Sequence, residues 1–169
     1  MNIGGAGGDR QRRAFARHVA VADPRPDRNP LAIQIENRGV TEVFARPNSI
    51  DVAAFIGSPP MNLIPARYKN GGVEIAGHRL ETSLKEAGER DVVVGIRPGA
   101  VRIAAGGIPA LVELVEDLGD TAILDLDCSG ISIRARVSDG DVPREGAALS
   151  ITARAADIHL FDATTRRRM

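Results

Sequence analysis

The side chains best suited to chemistry in this sequence are three histidines and one cysteine. His18, His78 and His159 lie sixty or more residues apart, and none belongs to an i, i+4 pair. A metal site would therefore have to be assembled in space, and isolated histidines more often have structural or surface roles. Cys128 is the only cysteine, which excludes a disulfide framework and a Cys-cluster zinc site. It lies in an alternating apolar segment, so we predict a buried apolar role for it rather than a nucleophilic one.

Nucleotide chemistry would need a phosphate-binding lysine and a magnesium-binding acidic pair. A P-loop has the pattern Gly-x-x-x-x-Gly-Lys-Ser/Thr, but the two lysines, Lys69 and Lys85, follow Tyr and Leu. The dipeptide Asp-Glu does not occur in the sequence. The reversed pair Glu116-Asp117 ends a predicted strand, and we interpret it as a polar turn because no partner carboxylate is identifiable. The sequence thus predicts no catalytic residue, no metal ligand, no cofactor and no complete P-loop ATPase.

Composition and charge narrow the class of protein further. The 169 residues include 22 basic and 22 acidic side chains, and 3% are aromatic. A nucleic-acid binder needs a basic face and stacking rings, so we expect no nucleic-acid partner. No apolar run approaches the ~18 residues that span a bilayer, so we expect a cytoplasmic chain without direct membrane insertion. The charge is uneven: residues 1–48 carry +3, residues 49–165 carry −6 and the arginines at 166–168 carry +3. We interpret the basic ends as solvated termini.

Short strands dominate the chain after residue 60. Apolar or alternating pieces recur about every ten residues with Gly, Asn or Pro between them, which predicts a small barrel or sandwich. The predicted strands are 61–67, 72–76, 78–82, 92–96, 101–104, 111–118, 122–128, 131–137 and 148–155. Before them, 50–56 is predicted to be helical, with Thr41 or Asn48 as caps of short helices and Gly57 as the helix end.

The segment 122–137 predicts a hairpin with a defined register. Apolar residues alternate with polar ones on both sides of Ser129-Gly130, and a two-residue turn sets which residues face each other. Leu126 is then opposite Ile133 on the buried side. Asp125 is opposite Arg134 on the exposed side, where such a pair contributes about 0.2–1 kcal/mol and mainly defines the register.

Four ordered segments, which form three matches, resemble one protein family. Residues 42–62 read EVFARPNSIDVAAFIGSPPMN, residues 94–101 read VGIRPGAV, and the segments 112–137 and 159–168 resemble closing strands with a Leu-Phe-Asp terminus. Together they are similar to the region that follows the nucleotide-binding domain in carbohydrate-import ABC transporter ATPases, the family of maltose, multiple-sugar and glycerol-3-phosphate importers. The motif residues are Phe55, Ile56, Gly57, Ser58, Pro59, Pro60, Met61 and Asn62, and then Gly95, Arg97 and Pro98.

A weaker resemblance lies upstream. Gly7, Gly8, Asp9, Arg10 and Gln11 are similar to the ABC signature segment, which presents a Ser hydroxyl and a helix N-terminus to the γ-phosphate of ATP. Here Ala6 replaces that Ser, and Asp9 puts an acid where the family has Gln. We therefore interpret residues 1–40 as a degenerate ATPase-domain remnant, residues 41–60 as a helical linker and residues 61–169 as the domain that follows.

The resemblance implies an expected fold and function. It implies a mainly β regulatory domain with an OB-like barrel, one or two short helices and an irregular segment before it. Such a domain carries no catalysis, associates with its own copy in the ATPase dimer and works with ATPase or permease subunits at the inner face of the membrane. Gly99-Ala100 replace the family's Glu-His after Arg97-Pro98, which removes contacts that those side chains would make. A stand-alone barrel that binds a small ligand or an oxyanion remains the alternative.

Overall fold

The computed structural model describes residues 40–138, 140 and 142–169. The signature-like segment Gly7–Gln11, and all of the predicted remnant except residue 40, lie outside the described residues. The helices are α1 (Val40–Ala45) and α2 (Ile50–Phe55). The strands are β1 (Asn62–Lys69), β2 (Gly72–Ile75), β3 (His78–Glu81), β4 (Glu89–Ile96), β5 (Arg102–Asp117), β6 (Thr121–Asp127), β7 (Ser132–Ser138), β8 (Ala148–Thr152) and β9 (Ile158–Asp162). Short 3-10 helices at Pro98–Ala100 and Ala155–Asp157 precede β5 and β9.

The strands form two antiparallel sheets, which confirms the predicted mainly β, OB-like fold. The first sheet has the order β3-β2-β1-β4-β9 and the second has the order β7-β6-β5-β8. Buried side chains from both sheets, among them Ile64, Val94, Leu124 and Ile151, form one apolar cluster. Removing this apolar surface from water is the main driving force that holds the two sheets together.

The predicted hairpin is confirmed in its register and its turn. Leu126 is opposite Ile133 and Asp125 is opposite Arg134 in the β6–β7 pair. Ser129 and Gly130 have φ values of 57° and 87°, which are the positive angles that a two-residue turn of type I′ needs. The Arg134 guanidinium contacts the Asp125 carboxylate at 2.8 Å on the exposed side.

Three predicted strands are wrong in extent. The predicted strands 101–104 and 111–118 are both parts of β5, whose pairing with β8 shifts register between Ile103 and Ile108. The 16-residue strand β5 pairs with β8 on both sides of this irregularity and with β6 over its second half, and an irregularity of this kind bends a strand. The predicted strand 148–155 ends earlier, at Thr152, and is followed by a 3-10 helix.

The strand β9 is absent from the predicted set. All residues from Ile158 to Phe161 are buried, so the sequence shows a short apolar run rather than an alternation, and such a run does not distinguish strand from helix. Both faces of β9 are covered. Ile158 and Leu160 belong to the core between the sheets, while Phe161 packs in a second cluster with Ile50.

The helix α2 covers the outer face of the first sheet. Ile50 and Ala53 from α2 pack with Met61 and Phe161. Ser49 is the N-cap, and its hydroxyl accepts the Val52 N–H at 3.4 Å. The predicted caps are therefore wrong: Asn48 lies one residue before the cap, and Thr41 lies inside α1 because that helix begins at Val40.

Candidate functional site

The two family-like motifs meet at the side chain of Arg97. Its Nη1 donates a 2.9 Å hydrogen bond to the carbonyl of Ile56, and its Nη2 donates to the carbonyl of Phe44 at the end of α1. The guanidinium carbon lies 3.8 Å from the centre of the Phe44 ring, which is a cation–π contact. Arg97 therefore fastens both helices to the strand that ends at Ile96.

Arg97 is half-buried, and its guanidinium contacts two backbone carbonyls and an aromatic ring. Burial lowers the pKa of its guanidinium from the usual value, because removal from water disfavours the charged form. Its Nε is buried without a hydrogen-bond partner among the described residues. A partly desolvated charge that forms no ion pair with the described residues is uncommon, since buried charges are normally paired.

Gly95 lets the second motif approach the first closely. A Cβ at this position would lie 2.6 Å from the Met61 sulfur and 2.8 Å from the Phe161 ring. A side chain at this position would have to displace Met61 or Phe161, because those two side chains cover the strand from the α2 side. Gly57, with φ of 121°, reverses the chain after α2 so that Pro59 and Pro60 lead to β1.

Asn62 connects the two sheets. Its amide nitrogen donates to the carbonyls of Ile96, at 3.0 Å, and Arg134, at 2.8 Å. Its amide oxygen accepts the Arg134 N–H at 2.8 Å. One side chain at the start of β1 thus satisfies backbone groups of both β4 and β7.

The motif residues divide into buried and exposed groups. Met61 and Pro98 are buried, as is Gly95. Phe55 has 81% of its surface exposed, and Ser58 and Pro60 are also exposed. These exposed side chains are accessible for contacts with other surfaces.

Two clefts share Arg97 in their lining, and we call them the Arg97 clefts. The first includes Gly57, Pro59, Arg136 and Arg154, and the second, of about 430 Å³, includes Arg46, His159 and Arg168. Among the described residues, five arginines and one acid, Asp157, line these two clefts. Of these five arginines, the sequence motifs indicated only Arg97 as a candidate site residue. The other four come from distant segments of the chain, which only the fold brings together.

His159 lies in the second cleft and is 9% exposed. Its pKa is lowered to about 4, first by burial and then by the charges of Arg168, Arg97 and Arg46, with Asp157 acting in the opposite direction. The ring is therefore neutral near pH 7. Its Nδ1 has no hydrogen-bond partner within the part of the chain that the structure describes.

The other candidate chemical groups have structural surroundings. Cys128 is fully buried, and burial, with the charge of Asp127, raises its pKa to about 11, which keeps it a neutral thiol. Asp117 accepts the Gly119 N–H at 2.8 Å, so Glu116-Asp117 does lead into a polar turn. His78 is exposed, with Nδ1 2.9 Å from the carbonyl of Ala76, and His18 lies outside the described residues.

Neither a metal-binding cluster nor a membrane-spanning helix occurs among the described residues. Residues 40–138, 140 and 142–169 hold no group of three or more His, Cys, Asp or Glu side chains placed to bind a metal ion. Within the same ranges, no helix has the length and apolar character needed to cross a bilayer.

Comparison with known proteins gives two overlapping domain matches. The MalK OB fold domain matches residues 57–101, and the TOBE domain matches residues 94–161. The overlap contains Arg97, at the junction of the two motifs.

Curated relatives are similar over most of this chain. The sn-glycerol-3-phosphate import ATP-binding protein UgpC 2 of Agrobacterium fabrum is 34% identical over 136 residues, which are 76% of this chain and 36% of that protein. The trehalose/maltose import ATP-binding protein MalK of Thermococcus litoralis is 33% identical over 158 residues, which are 79% of this chain and 42% of that protein. The chain thus spans less than half the length of these relatives.

A solved structure supports the fold alone. The cytoplasmic molybdate-binding protein ModG, with molybdate bound, superposes with a TM-score of 0.50 at 20% identity, covering 59% of this chain and 94% of that one. From the domain matches and the relatives we conclude that the chain belongs to the MalK-type OB-fold and TOBE domain family, the C-terminal regulatory domain of sugar ABC importer ATP-binding proteins.

Proposed function

We propose that this chain serves as a regulatory and dimerisation module of a sugar-type ABC importer and does not hydrolyse ATP by itself. The observation that carries the proposal is the Arg97 junction, which fastens α1 and α2 to the barrel through hydrogen bonds to Ile56 and Phe44. Because Arg97 holds both helices against the barrel, a change in the position of the segment before them also changes the position of the barrel. The same proposal includes the division of the chain into a degenerate ATPase-domain remnant (1–40), a helical linker (41–60) and the OB-like regulatory domain (61–169).

The absence of ATP hydrolysis follows from the sequence. A phosphate-binding Gly-Lys and an Asp-Glu pair do not occur in the 169 residues, and these groups position ATP and magnesium in P-loop enzymes. The test is phosphate release by the purified chain with ATP and magnesium. No release above a buffer blank is expected. Robust turnover that stops when EDTA removes the magnesium would overturn the proposal.

The structure indicates which surface of the chain could mediate self-association. The apolar face of α2 is largely used within the chain, because Ile50 and Ala53 pack on the barrel. Exposed large apolar side chains instead lie along or just after β5: Ile103, Leu111, Leu114 and Leu118. Exposed apolar patches of this kind mark protein contacts, so we assign the dimer surface to this face.

The association is tested by light scattering over a range of concentrations. Leu111→Gln combined with Leu114→Gln is expected to shift the chain toward the monomer. Phe55→Gln is the matched control, because it removes an apolar side chain that is 81% exposed but lies outside β5. A wild-type chain that stays monomeric at high concentration would contradict the proposal, and so would a control that dissociates as much as the β5 variant.

The second candidate function is a stand-alone barrel that binds a small ligand. The observation in its favour is the basic lining of the Arg97 clefts, and the similar fold of a molybdate-binding protein agrees with it without showing it. Titration calorimetry with neutral sugars, sugar phosphates, sulfate and molybdate tests this candidate. Micromolar binding by the isolated chain would favour it, and flat titrations would reject it.

A further inference from the structure

Residues 166–169 lie between β9 and the residues that begin α2, and we call this segment the strap. One antiparallel bridge pairs Arg168 with Phe161 of β9. A second antiparallel bridge pairs Arg167 with Ser49, the N-cap of α2. The strap therefore continues the first sheet beyond β9 and joins that sheet to the start of α2.

On one side, the strap covers the edge of β9, which is the last strand in the order of the first sheet. The Asp162 N–H donates to the Arg167 carbonyl at 2.9 Å. The Met169 N–H donates to the Leu160 carbonyl, also at 2.9 Å. Unpaired backbone groups at a sheet edge invite pairing with other chains, so the attached strap protects this edge.

On the other side, the strap holds the residues that begin α2. The Ile50 N–H donates to the Arg166 carbonyl at 3.0 Å. The Arg168 N–H donates to the Asn48 carbonyl at 2.9 Å. Both ends of α2 are thus attached to the barrel, the start through the strap and the end through Arg97.

The strap is held mainly by its backbone hydrogen bonds, which makes its attachment marginal. Met169 is half-buried against the core, whereas the ion pair of Arg166 with Asp51 joins two exposed side chains, and such pairs contribute little. Arg166 has a φ of 58°, an angle that is unfavourable for residues other than Gly. The net gain from the hydrogen bonds is comparable with the entropy lost in ordering four residues.

We propose that the strap is a releasable fastening between the barrel and the residues that precede it. When attached, it fixes the start of α2 on the first sheet. When detached, it frees this part of the chain to change position while the barrel stays folded, because the buried core cluster is built from the strands and their connections. A role of this motion in an importer rests on the proposed function, whereas the fastening itself does not.

Hydrogen exchange of single amides in the whole chain, followed by NMR, tests whether the strap opens as a unit. The amides that report its bonds are those of Ile50, Asp162, Arg168 and Met169. We expect these amides to share one level of protection, at least about hundredfold lower than that of the β1–β4 ladder, because local opening does not require the barrel to unfold. The proposal is overturned if they exchange only together with that ladder.

Arg168→Pro tests whether the strap holds α2. Proline removes the N–H that donates to the Asn48 carbonyl, so exchange of the Ile50 amide should accelerate about tenfold while the β1–β4 ladder keeps its protection. Arg167→Gln is the matched control, because it removes a positive charge from the strap and keeps every backbone N–H. It should leave the Ile50 amide as protected as in the wild type.

Asp162 offers a second test that leaves the backbone of the strap intact. Its Oδ1 accepts the N–H groups of Thr164 and Thr165, at 3.0 and 2.6 Å, and so shapes the turn that leads from β9 into the strap. Asp162→Ala should accelerate exchange of the Ile50 amide about tenfold. Asp162→Asn keeps an acceptor oxygen and should recover most of the protection.

The Asp162 pair decides the matter should Arg168→Pro fail to fold. Wild-type protection of Ile50 in Asp162→Ala would overturn the proposal, since the strap would then not hold α2. Equal acceleration of Ile50 and the β1–β4 ladder would also overturn it, because the strap would then be part of the barrel's global stability. These outcomes are independent of the importer role, which is tested by ATP hydrolysis and light scattering and could fail while the strap behaves as expected.

Discussion

The side chain of Asn62 forms two hydrogen bonds with the backbone of Arg134, a residue 72 positions later in the chain. The amide nitrogen donates to the Arg134 carbonyl and the amide oxygen accepts the Arg134 N–H, both at 2.8 Å. Since β1 and β7 belong to different sheets, this side chain supplies a backbone-like connection between sheets that share no strand pairing. The last residue of the conspicuous sequence motif thus helps to close the barrel.

Asn62→Ala is expected to lower the free energy of unfolding by about 2–3 kcal/mol. It removes both bonds to Arg134 and the bond to the Ile96 carbonyl, and each such bond contributes about 1 kcal/mol. Urea unfolding measures the change. Ser83→Ala is the control, because it removes one exposed hydrogen bond to Ala155 and should cost under about 1 kcal/mol. Equal stabilities of the two variants would contradict the closing role of Asn62.

Arg97→Lys is expected to loosen α1 and α2 from the barrel. Lysine has one point charge and cannot reproduce the paired donors or the stacking on Phe44. Hydrogen exchange of the amides in 40–57 should accelerate about tenfold or more, while the core strands stay protected. Arg102→Lys, at an exposed position on β5, should leave the exchange unchanged. Unaltered protection in Arg97→Lys would show that Arg97 does not hold the helices.

Gly95→Ala and Gly99→Ala form a matched pair. The added methyl at 95 would lie 2.6 Å from the Met61 sulfur, whereas nothing lies within 4 Å of a Cβ at 99. Overpacking of this kind costs about 1–3 kcal/mol, while the change at 99 should stay within about 0.5 kcal/mol. Thermal or urea unfolding of both variants checks this. The packing argument would be wrong if Gly95→Ala were as stable as Gly99→Ala.

His159 should make the chain less stable as the pH falls from about 6.5 toward 4. Burial and the nearby arginines lower its folded pKa to about 4, so in this window the unfolded chain binds a proton that the folded chain does not. Stability is then fully present above the unfolded pKa, and the loss at pH 5 is at most about 2 kcal/mol.

The measurement compares urea unfolding at pH 7 and pH 5 for the wild type and His159→Gln. The glutamine variant lacks the titrating ring, so its stability should change less with pH than that of the wild type. His78→Gln replaces an exposed ring and should keep the wild-type slope. If His159→Gln kept the wild-type slope as well, the pH dependence would have another origin.

Cys128 should resist alkylation in the folded chain. Its side chain is fully buried, and its pKa of about 11 reduces the thiolate fraction about hundredfold relative to an ordinary thiol. Iodoacetamide at pH 8 should therefore modify the chain only in denaturant, while a short cysteine peptide reacts readily in both conditions. Rapid modification without denaturant would show that the chain opens at Cys128, just after β6.

The sequence alone determined those features that depend on neighbours along the chain. The alternation in 122–137 and the Ser-Gly turn predicted the register of β6 and β7, because local geometry decides which residues of a short hairpin face each other. Gly57 and the apolar run before it predicted α2. The motif ending at Asn62 and the motif around Arg97 indicated the family, although neither indicates what its residues contact.

Only the tertiary structure decided how separate segments combine. Because β9 is covered on both faces, its sequence lacks the alternation that identifies a strand, and the two predicted halves of β5 become one strand through their shared partner β8. The contact of Arg97 with Ile56 spans 41 positions, and that of Asn62 with Arg134 spans 72. No pattern along the chain encodes such distances, since they follow from the packing of two sheets around one core. The basic lining of the Arg97 clefts arises in the same way, from arginines that are neighbours only after the chain has folded.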